Sequence, residues 1–328
     1  MFNSMRCASI AGIALSSCLF GITTTNDPSQ YTSTAGSVFA GVALLNIAGG
    51  DTCSASLIAP NFLLTAAHCV NAAGSAQNLM ATFTLANGGP ATYSVVNYFT
   101  DGTLLPDLSN DIALVELSST VAGITPYSLG TSTLGETITL AGYGDTGEGT
   151  ADLGSYGNFH AGLNTVDGYW DGVTQTNAVN GTVYTLPYSG DALAFDFDSA
   201  TGNGTLGGGA VSGSAPQNEA MICYGDSGGP AFAGNAFDGG SLTIVGVNDF
   251  LTLPNPNDSS ATPQCTNNES AAGYAGFGDL AGDNNVATHL AWIDATIAEA
   301  DSAPEPATWT LIAIGAGLSG LALRRRPR

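Results

Sequence analysis

The serine in Gly225-Asp226-Ser227-Gly228-Gly229-Pro230, three residues past Tyr224 and close behind Cys223, is a candidate nucleophile. Flanking glycines let the backbone turn sharply, present Oγ outward and aim successive N–H groups at one point. Such a cluster on its own is equally an ordinary turn. Two other stretches supply what a serine needs in order to react. Leu64-Thr65-Ala66-Ala67-His68-Cys69 offers an imidazole, and Asp111-Ile112-Ala113-Leu114-Val115-Glu116-Leu117 sets a carboxylate at the head of a run with apolar residues at alternate positions. A base that takes the hydroxyl proton and an acid that fixes the tautomer of that base together make a set for acyl transfer. The other histidines, His160 in a glycine-rich stretch and His289 near the C-terminus, read as packing or surface residues. Neither His-Glu-x-x-His nor Cys-x-x-Cys occurs, so no zinc constellation competes, and the chemistry calls for no cofactor and no metal.

The order His, Asp, Ser and the three local contexts together resemble the trypsin/chymotrypsin family of serine proteases, from about Ile22 to about Ala300. That resemblance implies an all-β fold of two Greek-key six-stranded β-barrels with a C-terminal helix. It implies His68, Asp111 and Ser227 as the triad, with the N–H groups of Gly225 and Ser227 as the oxyanion hole. It also implies disulfides Cys53–Cys69 and Cys223–Cys265. The primary specificity pocket falls, by the same resemblance, on Met221 at its floor with Gly246, Val247 and Asn248 along its wall. Met221 and Ala220 point to an apolar or small side chain before the cleaved bond, and Asn248 in place of the usual glycine narrows the entrance. Protein or peptide substrates follow. A protease-like binding or matrix module without turnover is the alternative, and retention of all three catalytic side chains favours the enzyme.

Asp226 resembles the acid that pairs, buried, with a freshly exposed α-amino group. The five basic residues are Arg6, Arg324, Arg325, Arg326 and Arg328, so nothing from Cys7 to Leu323 is Lys or Arg. A buried carboxylate without a partner costs several kcal/mol, so it finds a cation or takes a proton. Short of a histidine or a metal, the chain's own terminus is the candidate, and Ile22 is the residue expected to supply it once the segment before it is removed.

The elements that position these groups follow from composition. A chain of 328 residues with 44% hydrophobic content, 44 glycines and 14 prolines, and many Val/Ile/Thr/Tyr runs between turn residues, reads as an all-β body. Strands are expected from Ser37 to Val70 around a Gly49-Gly50-Asp51 turn, then over Tyr93–Phe99 and Asp111–Leu117. In the second half they are expected at Ile138–Gly144 and Leu242–Val247. Apolar positions Leu290, Trp292, Ile293 and Ile297 mark a helix over Val286–Ala300 that closes the second barrel. The stretch from Gly147 to Gly190 exceeds what a minimal family member needs and carries no assigned role. Asp196 and Asp198, followed by Gly202-Asn203-Gly204, superficially resemble a calcium loop, but the bidentate acid is missing and a hairpin is the simpler reading. A formal charge of −22 excludes nucleic acid and anionic membrane surfaces as partners of the body, and a monomer is expected.

The chain ends carry addresses. Residues 1–21 read as an export signal, with Arg6 ahead of an apolar, small-residue stretch from Cys7 to Phe20. Leu15-Ser16-Ser17-Cys18 also resembles a lipoprotein processing site that would keep Cys18 as a lipidated terminus. Simple removal leaves four cysteines in the body, an even number that fits an oxidising compartment. The protease-like region is assigned to 22–300, divided into 22–130 and 131–300, followed by a linker at 301–307. An apolar segment at 308–323 begins beside Trp309, and a basic tail at 324–328 ends the chain. Ser302-Ala303-Pro304-Glu305-Pro306, the apolar segment and the arginines resemble the PEP-CTERM sorting tail of exopolysaccharide-producing Gram-negative bacteria. This implies export across the inner membrane, transient membrane anchoring through 308–323, exosortase-type sorting machinery, and release to the cell surface or extracellular matrix. A plain C-terminal anchor is the other reading of the same hydropathy and charge.

Overall fold

The computed structural model describes residues 23–24, 38–85, 89–102, 110–145, 157–170, 174–176, 183–185, 192–198, 206, 219–239, 242–251 and 280–302. Six strands close a first barrel in the order Val42–Ile47, Thr52–Ala59, Phe62–Thr65, Ala113–Leu117, Pro90–Thr100 and Leu79–Thr84, the last pairing back to the first. The hairpin between the first two turns at Gly49 and Gly50, whose φ values of 121° and 110° suit glycine. Leu45, Leu57, Phe62, Leu63, Leu64, Phe83, Leu114 and Val115, all at 0% exposure, belong to one buried cluster inside and around the barrel. Burying each such side chain contributes about 1.5–3 kcal/mol.

The second half departs from expectation. Its strands run His160–Thr165, Thr137–Gly142, Pro230–Ala233, Thr243–Leu251, Leu280–Asn285, Ala192–Asp196 and Gly168–Trp170, with Ser128–Leu129 parallel to Thr243–Leu251. Among the described residues this is an eight-stranded sheet, not a closed six-stranded barrel. The physical reason lies at Val166 and Asp167, which carry the chain from one edge of the sheet to the other. The Val166 N–H donates to Glu136 O at 2.9 Å and the Asp167 N–H to Ala194 O at 2.9 Å, so the two edge strands meet through the covalent chain and not through a ladder. The glycine-rich stretch thereby supplies both edges, and Trp170, 1% exposed, anchors one of them by donating from Nε1 to Ala281 O at 3.0 Å.

The predicted helix forms over Val286–Ser302, two residues into the assigned linker. Val286 and Ile293 join the same buried cluster as the first barrel, with Leu290, Trp292 and Ile297 packed against it. His289 Nδ1 meets Asp101 Oδ2 at 2.7 Å, so the helix is tied to the first barrel as well as following the last strand of the second sheet. No helix among the described residues is long and apolar enough to cross a membrane. The expected signal (1–21) and the segments 308–323 and 324–328 lie outside the described residues.

Candidate active site

Strand Phe62–Thr65 runs directly into a seven-residue helix, Ala67–Ala73, ended by Gly74 at φ 67°. His68 therefore sits in the first helical turn, where backbone N–H groups have no partner inside the helix. Asp111 satisfies that turn and the imidazole together. Its Oδ1 accepts from the His68 N–H at 2.6 Å, and its Oδ2 makes a short hydrogen bond with His68 Nδ1. Asp111 is fully buried, whereas the His68 side chain is 34% exposed. Burial pushes the Asp111 carboxyl up, but hydrogen bonds to His68 and Asp249 and the neighbouring imidazole outweigh it and hold the group below the usual aspartate value. Asn110, just before it, has φ 63°, the one non-glycine positive φ among the described residues. The Cys53–Cys69 disulfide pins the His68 helix to strand Thr52–Ala59.

The Ser227 loop docks against this same corner. The Ser227 carbonyl accepts from the Ser54 N–H at 2.8 Å, and Cys69 Sγ lies 3.7 Å from it. Ser54 Oγ donates to Gly225 O at 3.0 Å and accepts from the Tyr143 N–H at 2.9 Å. Gly228, at φ 81°, admits no side chain: a Cβ would stand 2.1 Å from Thr65 Oγ1 and 2.4 Å from Ser54 O. Within the loop the Asp226 N–H donates to Cys223 O, the Gly228 N–H to Asn248 O and the Gly229 N–H to Asp226 O. Among the described residues the N–H groups of Gly225 and Ser227 donate to no protein acceptor, and Gly225 adopts φ 94°. No hydrogen bond joins Ser227 to His68 among the described residues. Such bonds are commonly long before substrate is bound.

Asp226 is fully buried. Its Oδ1 accepts from the Gly144 N–H at 2.8 Å and its Oδ2 from the Cys223 N–H at 2.8 Å. Burial pushes its carboxyl up to about 8, against the pull of those two amides. Gly142 and Gly144 form its cradle, since a Cβ on either would fall 2.2 Å or 2.6 Å from its side chain. Ile22, the expected partner, lies outside the described residues, but its neighbours Thr23 and Thr24 pair antiparallel with Met221 and Ala220. Met221, Gly246, Val247 and Asn248 are all buried. The Asn248 side chain ties strand Thr137–Gly142 to the Ser227 loop, donating to Ala141 O at 3.1 Å and to Asp226 O at 3.3 Å. Cys223 is disulfide-bonded, and its expected partner Cys265 lies outside the described residues.

Three participants escaped the sequence reading. Ser54 holds the Ser227 loop, and Asn284 and Asp249 stand behind Asp111. Asn284 Nδ2 donates to Asp111 O at 3.2 Å and to Asp249 Oδ2 at 2.6 Å. The available signal was Asn248-Asp249 interrupting the apolar run of a buried strand. His160 is fully buried, and burial lowers its imidazole well below the ordinary value. A second acidic group gathers far along the sheet, where Asp196, Asp198 and Glu219 bring oxygens within 4.8 Å of one another. Asp167 joins them, its carboxyl raised to about 8 by burial and by the charge on Asp196.

Residues 29–183 match the family model "Trypsin", and residues 302–326 match the PEP-CTERM protein-sorting motif. The first match contains His68 and Asp111 and ends before the segment that bears Ser227. The second implies export and exosortase-dependent sorting through a membrane-anchored stage in a Gram-negative bacterium. No curated protein matches the chain.

Proposed function

We propose that this trypsin-type, PEP-CTERM-sorted protein is a serine endopeptidase acting at the cell surface. The observation that carries the reading is the dual capture of His68 by Asp111, through its backbone N–H and through Nδ1. It fixes the imidazole with Nε2 left for the serine and Nδ1–H directed at the acid. Ser227 Oγ gives its proton to Nε2 as it bonds to the scissile carbonyl carbon. The carbonyl oxygen becomes negative, and the uncommitted N–H groups of Gly225 and Ser227 receive that charge. His68 then returns the proton to the leaving amine, and water releases the acyl group by the same steps in reverse.

Ion-pairing of Asp226 with the α-amino group of Ile22 belongs to this reading. Pairing of Thr23–Thr24 with Ala220–Met221, the strand that leads to Ser227, supports it. In the unprocessed chain Asp226 instead holds a proton. Met221 at the pocket floor supports a preference for apolar or small side chains before the cleaved bond. A fluorophosphonate probe tests the whole, because only an activated serine is derivatised. An adduct on Ser227 of processed protein is expected, and its absence would leave a protease-like binding module without turnover.

A further inference from the structure

Asp249 sits at the bulge between Asn248 and Phe250 in strand Thr243–Leu251 and is 6% exposed. Its Oδ2 accepts from Asn284 at 2.6 Å, while its Oδ1 lies 3.9 Å from His68 Nδ1. One ring nitrogen of His68 and one carboxyl oxygen each of Asp111 and Asp249 all fall within 4.8 Å of one another. One carboxyl oxygen of Asp249 and one of Asp111 thus face each other within 4.8 Å inside the protein. Two ionised carboxylates are acceptors only, so a bond between them needs a proton on one of the pair. Like charges this close in a buried site do not both ionise without a large cost. Asp111 already accepts from the backbone and the ring of His68, which marks it as the ionised member.

Few other charges among the described residues bear on the cluster. On the strand beside it, Asp283 pairs with Asn248, and its Cβ would stand 2.9 Å from a Cβ placed on Gly246. Asp226 is turned to Gly144 and Cys223, and Asp101 is held by His289. The body contributes no Lys or Arg.

On the protease reading above, we propose that Asp249 is a positioning acid: it keeps a proton, donates it in a hydrogen bond to Asp111, and so aims the Asp111 carboxylate at His68. The serine proton still moves only from Ser227 Oγ to His68 Nε2, and the proton on Asp249 stays where it is. The imidazolium then forms against a single negative charge shared by two carboxyl groups. Loss of the Asp249 proton at higher pH adds a second negative charge beside the ring, so the three groups titrate as one unit.

Two variants separate positioning from structure. Asp249→Asn keeps the shape, an acceptor for Asn284 and a donor for Asp111, but has no proton to lose; Asp249→Ala has no donor. In the Ser227→Ala background, which cannot turn over, NMR titration of the His68 ring nitrogens should show two steps with Asp249 and one with Asp249→Asn. In processed, active protein the pH profile of kcat/KM should lose one upper ionisation in Asp249→Asn and keep that of the Ile22 α-amino group, and Asp249→Ala should lower kcat at least about tenfold. Identical ring titrations in the two Ser227→Ala proteins would overturn the proposal, and if Asp249→Ala does not fold, the Asn comparison decides alone. Fluorophosphonate labelling keeps the two readings apart. Labelling with a one-step titration removes the role of Asp249 only, whereas a two-step titration without labelling removes the protease reading and leaves the proton-sharing cluster.

Discussion

The two halves bury very different things. In the first barrel, among the described residues, Asp111 is the one fully buried charged side chain, and the rest of the interior is aliphatic, aromatic or hydroxyl-bearing. The second sheet buries Asp196, Asp198, Glu219, Asp226, Asp249 and Asp283 in a body without Lys or Arg. The first barrel thus holds His68 and Asp111 on a largely apolar frame with a disulfide. The half that carries Ser227 stores carboxyl groups whose charge state depends on pH. Rigidity and responsiveness are divided between the halves, and the site lies at their junction.

The largest effect separates chemistry from packing. Ser227→Ala should lower ester and peptide hydrolysis by on the order of a thousandfold or more while leaving the thermal melt where it was. A melt that fell together with activity would make Ser227 a structural residue. Next is the dry half: Phe62→Ala should destabilise by about 3–5 kcal/mol in urea unfolding, equally at pH 5 and pH 8. Removing the Cys53–Cys69 bridge, with its sequence separation of 16, should cost about 3 kcal/mol, again without pH dependence.

The second half should behave oppositely. Asp167 and Asp226 are raised to about 8, and Asp283, buried with no hydrogen-bond partner among the described residues, is raised well above its ordinary value by burial. Each keeps its proton in the fold after the unfolded chain has lost its own. The sign is therefore destabilising: nothing is lost below about pH 4, and stability falls as pH climbs from about 4 toward 8. Asp283→Asn should recover about 1–3 kcal/mol at pH 8 and nothing at pH 4, read from urea midpoints. Equal midpoints for variant and parent at pH 8 would show that this acid carries no penalty. Smallest of all, His289→Gln, which breaks the contact with Asp101, should cost less than about 1 kcal/mol.

Legibility in the sequence followed the same division. The first barrel's turn at Gly49-Gly50-Asp51, the strand leading into His68 and the strand after Asp111 were all readable, because local alternation and turn chemistry decide them. The helix over Val286–Ser302 was readable from its apolar spacing. The edge switch at Val166 and Asp167 was not, since it depends on which distant strand each amide finds. Asp249 was passed over for a related reason. A polar residue in an apolar strand says that something unusual is buried there, but only the bulge and Asn284 turn it toward Asp111.

The pairing of Thr23–Thr24 with Ala220–Met221 has a consequence for the order of events in the cell. A chain threaded through an export channel with its N-terminus leading releases the first barrel's strands early, and they find one another locally. The N-terminal strand cannot dock until the segment around Ala220 has also emerged, because its partner lies on the far side of nearly the whole body in sequence. Contacts of such long span form late. The docking of Thr23–Thr24 on Ala220–Met221 is thus a completion signal, made only once the second sheet has left the channel.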